Sequence, residues 1–355
     1  MSKSIENSVE LPDRAAGRSG AAGAAGAASA GSAGSAAAGF SRRAWLPVLL
    51  EQGPLISLVL LCVVISLLTP SFLSVRNLLN VLDQITVLGI MALGMTAVII
   101  IGGIDLSVGS VLALAMMVMG WLANTAGLPF VVAIPASILV AGLCGLVSGL
   151  LNVVMRLPAF IATLAMMSVA RGLANIITNG EQIVGYPDWF TALSIDRHFG
   201  FLSATVGLFV ALMVVGFVIL KYRAAGRSLY AIGGSAEVAR LAGIKVRATT
   251  LAVYTLCGAL AGVAAVVLAS RLDSSQPSAG TGYELDTIAA VVIGGASLAG
   301  GTGTVLGTAV GVLTIGVLRN GLNLIGVSPF VQQIVIGLVI VLAVGADTLR
   351  RRNAA

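Results

Sequence analysis

The sequence predicts an all-α polytopic membrane protein, and three observations carry that prediction. Charged residues make up only 10% of the chain and hydrophobic ones 58%. Ordinary soluble domains run near about 25% charged, so this chain has too few polar groups to cover a water-facing surface. Apolar runs close to the roughly 20 residues that a bilayer core requires recur from Leu46 onward. Finally, the 44 glycines have no collagen-like period and are scattered with Ala and Ser through those runs. That pattern is expected where membrane helices approach one another through small residues.

Taken in order, residues 1–45 form a tail that is polar at first and then reads "SGAAGAAGAASAGSAGSAAAG". With no large apolar side chain to bury, the tail is expected to be disordered. It is not read as a signal peptide, since the first apolar stretch begins only after Arg42 and Arg43 and many more follow. The membrane-spanning body is expected over 46–347, with spans near 53–69, 79–101, 107–123, 129–154, 158–178, 200–220, 249–270, 287–299, 304–325 and 330–346. The short run 287–299 and the Gly-interrupted joins near 102–109 and 300–303 read as broken or re-entrant helices. Such backbone is tolerated only where protein or a water-filled cavity satisfies it. A basic C-terminus, 348–355, closes the chain.

Basic residues set the orientation. Lys221, Arg223, Arg227, Arg240, Lys245 and Arg247 crowd one loop (221–248), Arg350–Arg352 crowd the end, and Arg42 and Arg43 precede the first span. The positive-inside rule assigns all three to the cytoplasm. About ten spans, six of them before that loop, give the same answer. The net charge of +6 then reflects these segments beside an anionic leaflet and calls for no nucleic-acid partner. Cys62, Cys144 and Cys257 read as small buried hydrophobes, and the single His198 as a solvated loop residue.

Two features stand out. "AVIIIGGIDLSVGSVLAL" (97–114) and "AVVIGGASLAGGTGTVLG" (290–307) are both apolar runs broken by a Gly pair and resumed, a weak internal echo of the kind transporters carry. The segment "GGSAEVARLAGIKV" (233–246) is short, charged and helix-prone. Ser235 is placed to cap a helix, Glu237 lies in its first turn where the dipole favours an acid, and Gly243 ends it. The bland alternative is a helix that merely bridges two spans.

The pattern Glu237-x-Ala239-x-x-x-Gly243 resembles the cytoplasmic coupling loop of ABC importer permeases, with Val238 departing from it at the second position. "GGIDLSVGS" (102–110), "LPAFIATLAMMSVARG" (157–172), "GRSLYAIGGSAEVARLAGIKV" (226–246) and "AAVVIGGASLAGGTGTVLGT" (289–308) occur in that order. Together they closely resemble the membrane subunit of ribose-type monosaccharide ABC importers over about residues 46–346. The resemblance implies a vitamin-B12-importer-like (type II) permease fold in the bacterial inner membrane, N and C termini cytoplasmic. It also implies a second permease copy, a cytoplasmic ATPase subunit that binds the ATP, an extracellular or periplasmic sugar-binding protein, and surrounding lipid. No cofactor belongs to this chain. Its ATPase-coupling loop would comprise Gly233, Gly234, Glu237, Ala239, Arg240 and Gly243.

This division of labour matches what is absent. A phosphate-cradling loop needs Gly before Lys, yet Lys3, Lys221 and Lys245 all lack it. No catalytic elbow, zinc helix or Cys cluster appears either. Polar residues inside membrane runs default to functional hypotheses. Candidates for a permeation path or gate are Asp83, Gln84, Gly102, Gly103, Asp105, Arg171, Asn175 and Asn320. Asp105 with Ser107 reads first as a helix cap, and Asp286 as an interfacial cap. Asn152, Thr163, Asn323, Gln332 and Gln333 are further inward-facing candidates. Aromatic residues Tyr186, Trp189, Phe190 and Tyr283 in 180–199 and 271–286 are expected either to anchor at the interface or to dock the binding protein. The competing class, an ion-coupled secondary transporter, needs mid-membrane acids, of which Asp105 is the main candidate. A membrane enzyme ranks third.

Overall fold

The computed structural model describes residues 53–198 and 200–352. The tail 1–45, Arg42 and Arg43 included, and residues 353–355 of the basic C-terminus lie outside the described residues. In chain order the elements are α1 (Gly53–Leu68), α2 (Val75–Ile100), α3 (Val108–Gly120), α4 (Phe130–Val153), α5 (Ala159–Ile176), β1 (Ile183–Val184), α6 (Asp188–Ile195), β2 (Arg197–His198) and β3 (Leu202–Ser203). They continue as α7 (Ala204–Tyr222), α8 (Ala224–Gly234), α9 (Ala236–Leu241), α10 (Val246–Leu272), β4 (Ser274–Ser275), α11 (Tyr283–Ile293), α12 (Val305–Leu324) and α13 (Pro329–Arg352). A wider π turn, Trp121–Thr125, extends α3.

A helix forms over each of the ten apolar runs. Seven are long and apolar enough to cross a membrane: α2, α3 with its π turn, α4, α5, α7, α10 and α12. α1 and the apolar stretch Pro329–Leu342 of α13 are shorter. α11, expected over 287–299, begins earlier and has only 11 residues, about 16 Å of helix against a hydrocarbon core of roughly 30 Å. It stops where Gly295 takes φ +90°, a left-handed turn that side chains with a Cβ resist.

The core forms around α2, the most enclosed of the seven long helices. α10 lies against both α2 and α4, and the α4–α10 seam is made by glycines. A Cβ on Gly145 would strike the Tyr254 carbonyl, and one on Gly258 would strike that of Ala141. The two backbones therefore touch with no side chain between them. This is how helices gain van der Waals contact in a solvent as apolar as they are. β1 pairs with β4 and β2 with β3, each antiparallel; these short pairs pin the connections rather than build a sheet.

The stretch 274–282 is not a free loop. Ser274, Ser275, Pro277 and Gly280 are buried, Ser275 Oγ donates to the Met116 carbonyl at 2.6 Å, and Gly280 packs on the backbone of Gly109. The chain thus turns back beside α3 before α11 begins. Non-helical backbone here is tolerated because protein satisfies it. Within 271–286, Ser278 and Thr281 stay exposed, so only part of that connection is enclosed.

Replacing Gly145 by Val is expected to destabilise the seam by about 1–3 kcal/mol or more, as overpacking does. Gly172→Ala, which meets nothing within 4 Å, should leave stability unchanged. Thermal melting of the detergent-purified protein compares the two.

Candidate functional site

Three features along α2 define the site: a basic connection at one end, two broken-helix junctions beneath it, and a polar cavity toward the other end. The connection is α8–α9. Ser235 caps α9, its Oγ accepting from the Val238 amide at 3.3 Å. Glu237 sits in the first turn, and Gly243 ends the segment with φ +82°. Arg240 donates to Glu237 Oε1 at 2.5 Å and to Oε2 at 3.2 Å. That bond and charge hold the Glu237 carboxyl below its ordinary value and raise the Arg240 guanidinium. Because the carboxyl is depressed, the pair is intact at neutral pH and is lost only as the pH falls into the carboxylate range. Ala239 faces inward and is buried, whereas Val238 (64% exposed) and Leu241 (76%) point outward. This exposed apolar pair escaped the sequence reading, although both residues flank the segment's charges.

α8 lies directly on the junctions. The first, 101–107, separates α2 from α3; the second, 294–304, separates α11 from α12. The Gly301 amide donates to the Ile100 carbonyl at 2.9 Å, so the two breaks are bonded to each other. A Cβ on Gly300 would lie 3.0 Å from both Gly102 Cα and the Gly233 carbonyl oxygen. Gly233 leaves no room for a side chain against Ile100 O and Gly301. Tyr230 Oη donates to the Gly303 carbonyl at 2.7 Å. Gly234 borders open space.

Asp105, buried in the first junction, accepts from the Ser107 amide at 2.8 Å and its hydroxyl at 2.6 Å. The acid therefore holds the start of α3, as expected, but Ser107 spends its hydroxyl on Asp105 and caps nothing itself. Thr163 Oγ1 on α5 donates to the Ile104 carbonyl at 3.3 Å and ties the junction to a third helix.

Several path candidates turn out to be fasteners. Asp83 is ion-paired with Arg197 and accepts from Ser203 Oγ at 3.1 Å. Arg171 donates to the carbonyls of Pro277 and Ala279 at 2.5 and 2.9 Å, satisfying the buried 274–282 backbone. Asn175 is exposed and bonds back to the Arg171 carbonyl. Asn320 exchanges two hydrogen bonds of 2.9 Å with Asn77 of α2, a closed amide pair. Thr96 and Thr308 bond at 2.7 Å farther along the same two helices. Asn152 donates to the Leu157 carbonyl, and Gln333 is exposed.

What remains is a cavity of about 260 Å³ between α2, α10, α11, α12 and α13. Gln84, Arg271, Asp286, Arg319, Asn323 and Gln332 line it. Asp286, expected as an interfacial cap, is buried and ion-paired with Arg319. Arg319 is a site residue that the sequence reading missed. An arginine inside the apolar run 304–325 demands a partner, and that demand was the available signal. Tyr186 and Phe190 of the aromatic set are buried among Phe130 and their neighbours, leaving Trp189 half exposed.

A bundle of apolar helices broken at two touching glycine junctions, with a surface helix from the basic connection seated on both, fits a membrane permease subunit. The chain belongs to the family whose model is described as the permease component of branched-chain amino acid transport systems, which matches residues 77–344. Several similar proteins are named as sugar permeases. The chain is 44% identical over 320 residues to the ribose import permease of Escherichia coli K12, covering 88% of this chain and 97% of that protein. The ribose import permease of Bacillus subtilis 168 is 43% identical over 318 residues, covering 86% and 95%. The L-arabinose ABC transporter permease of Azospirillum brasilense is 36% identical over 303 residues, covering 85% and 89%. No solved structure matches the chain.

The amide pair between α2 and α12 gives a test. Asn77→Leu leaves Asn320 buried without its partner and is expected to cost about 1–3 kcal/mol, whereas Asn77→Leu with Asn320→Leu should recover most of it. A double-mutant thermal-melting cycle measures the difference.

Proposed function

We propose that this chain is the permease subunit of an ATP-driven importer that carries a monosaccharide across the bacterial inner membrane. One observation carries the reading: α8 rests on both helix breaks at once, through Gly233 against Ile100 and Gly301. A force applied at α9 therefore reaches both junctions without crossing a flexible side chain. The relatives named above import ribose and L-arabinose, which supports a pentose or similar sugar as cargo.

On this reading α9 docks a cytoplasmic ATPase subunit through Val238 and Leu241, ringed by Glu237, Arg240 and Gly243. Both termini in the cytoplasm, in a type II arrangement whose ten crossings include one made by the buried 274–282 backbone and α11 together, bring the basic connection to that side. A second copy of the chain completes the path, and a binding protein delivers sugar at the opposite face. ATP binding closes the paired ATPase subunits and moves α9. That motion biases the bundle between inward-open and outward-open states. Ion coupling is not favoured, since Asp83, Asp105 and Asp286 are each committed to donors of the protein itself.

The test is ATP hydrolysis by membranes containing this chain and its ATPase, with and without sugar-loaded binding protein. Glu237→Lys sets a second cation beside Arg240, and the stimulation is expected to fall at least about tenfold, equivalent to roughly 1.4 kcal/mol of coupling. Undiminished stimulation, or sugar uptake that collapses with the proton gradient instead, overturns the assignment.

A further inference from the structure

We infer that the cavity between α2, α10, α11, α12 and α13 is a sugar-selecting subsite within each permease chain, one that holds a single neutral polyhydroxyl ring on its way through. The inference rests on the function proposed above and adds a site to it. Size comes first. About 260 Å³ falls just below the range of roughly 300–1,000 Å³ typical of drug-sized ligands, so one small molecule fits.

The chemistry of the wall narrows the class. Asp286 and Arg319 neutralise each other across α11 and α12, and Arg271 turns one nitrogen to the Asp83 carbonyl at 3.4 Å. The cavity therefore has no uncompensated acid to hold a cation. The Gln84 amide is engaged by no described group, whereas Gln332 Nε2 donates to Asn323 Oδ1 at 2.7 Å and to the Val327 carbonyl at 2.9 Å. That leaves the Gln84 amide, Asn323 Nδ2 as donor and Gln332 Oε1 as acceptor for a ring of hydroxyls. The apolar part of that wall is limited to Ile85, Leu88 and the ring of Tyr283, the last able to stack on the face of a sugar ring. The Arg319 Nε–H is buried and has no partner among the described residues. An unmet donor of that kind is costly, but it is shielded from the cavity and is not among the groups that meet a ligand there.

Location completes the argument. Arg271 ends α10, Asn323 lies near the end of α12 and Gln332 near the start of α13. The site thus sits at the end of the bundle opposite α8–α9, where a delivered sugar arrives before it meets the glycine junctions.

The experiment uses proteoliposomes carrying this chain, its ATPase and its binding protein, with uptake of radiolabelled pentoses and hexoses measured one at a time. Gln84→Leu is the first variant, because Gln84 bonds to no described residue and its loss leaves no protein group unpaired. Asn323→Leu is the second, with thermal melting recorded for both. Uptake of the preferred sugar is expected to fall about three- to tenfold, the value of one hydrogen bond. Sugars that differ at the contacted hydroxyl should fall less, so the ranking changes. An equal loss for every sugar, or wild-type uptake throughout, overturns the subsite and leaves the importer reading standing. If the wild-type complex itself shows no ATP-dependent sugar uptake, the importer reading fails and the subsite with it.

Discussion

The hydrogen bond from the Gly301 amide to the Ile100 carbonyl, 2.9 Å long, joins the two places where the helical bundle is broken. Inside a membrane an unsatisfied backbone group costs several kcal/mol, so broken helices persist only where something else completes their bonding. Here each break completes the other. Glycine makes this possible, since Gly102, Gly300 and Gly301 adopt positive φ and Gly233 brings a third backbone against the pair. Contacts between backbones have no rotamers to absorb a displacement. A shift of α8 must therefore move both breaks or detach from them.

α2 carries that constraint along the molecule. Its 26 residues make a rod of about 39 Å, with Ile100 at the junction and Asn77 at the far end. α12 is fastened to it at two levels, by Thr96 with Thr308 and by Asn77 with Asn320. Two such ties oppose one helix rotating or sliding on the other. The cavity is lined by both. The polar end and the glycine end are thus connected by one continuous helix, α2, fastened to α12 at two levels.

Much of this was legible in the sequence because membrane helices obey local rules. Apolar runs marked all ten helices, and Ser235, Glu237 and Gly243 marked the beginning and end of α9, since caps and left-handed turns depend on residues close in sequence. Long-range pairing was not legible. Nothing local distinguishes Asn320, closed on Asn77, from Gln332, which lines the cavity; the choice of partner is made 243 residues away. The burial of 274–282 was not legible for a related reason. Nothing in its Ser, Gln, Pro and Gly composition points to Arg171, which comes from a helix more than 100 residues earlier and supplies the donors that let this backbone lie buried. Arg319 was overlooked because attention fell on acids and amides, while its meaning depends on Asp286.

The charges then follow one rule. Asp83 with Arg197, Asp286 with Arg319, and Arg171 with two carbonyls each join elements distant in sequence. In an apolar medium a lone ion is costly and a matched one is tolerated, so charge placed here acts as a fastener between helices. A charge spent in this way is not free to bind a moving ion. Among the described residues that line the cavity, the Gln84 amide, Asn323 Nδ2 and Gln332 Oε1 are left for a solute, and these suit hydroxyls better than metal ions. Arg271, which faces only the Asp83 carbonyl, adds a further donor to this wall, so the polarity left unspent meets oxygen-bearing solutes and not cations.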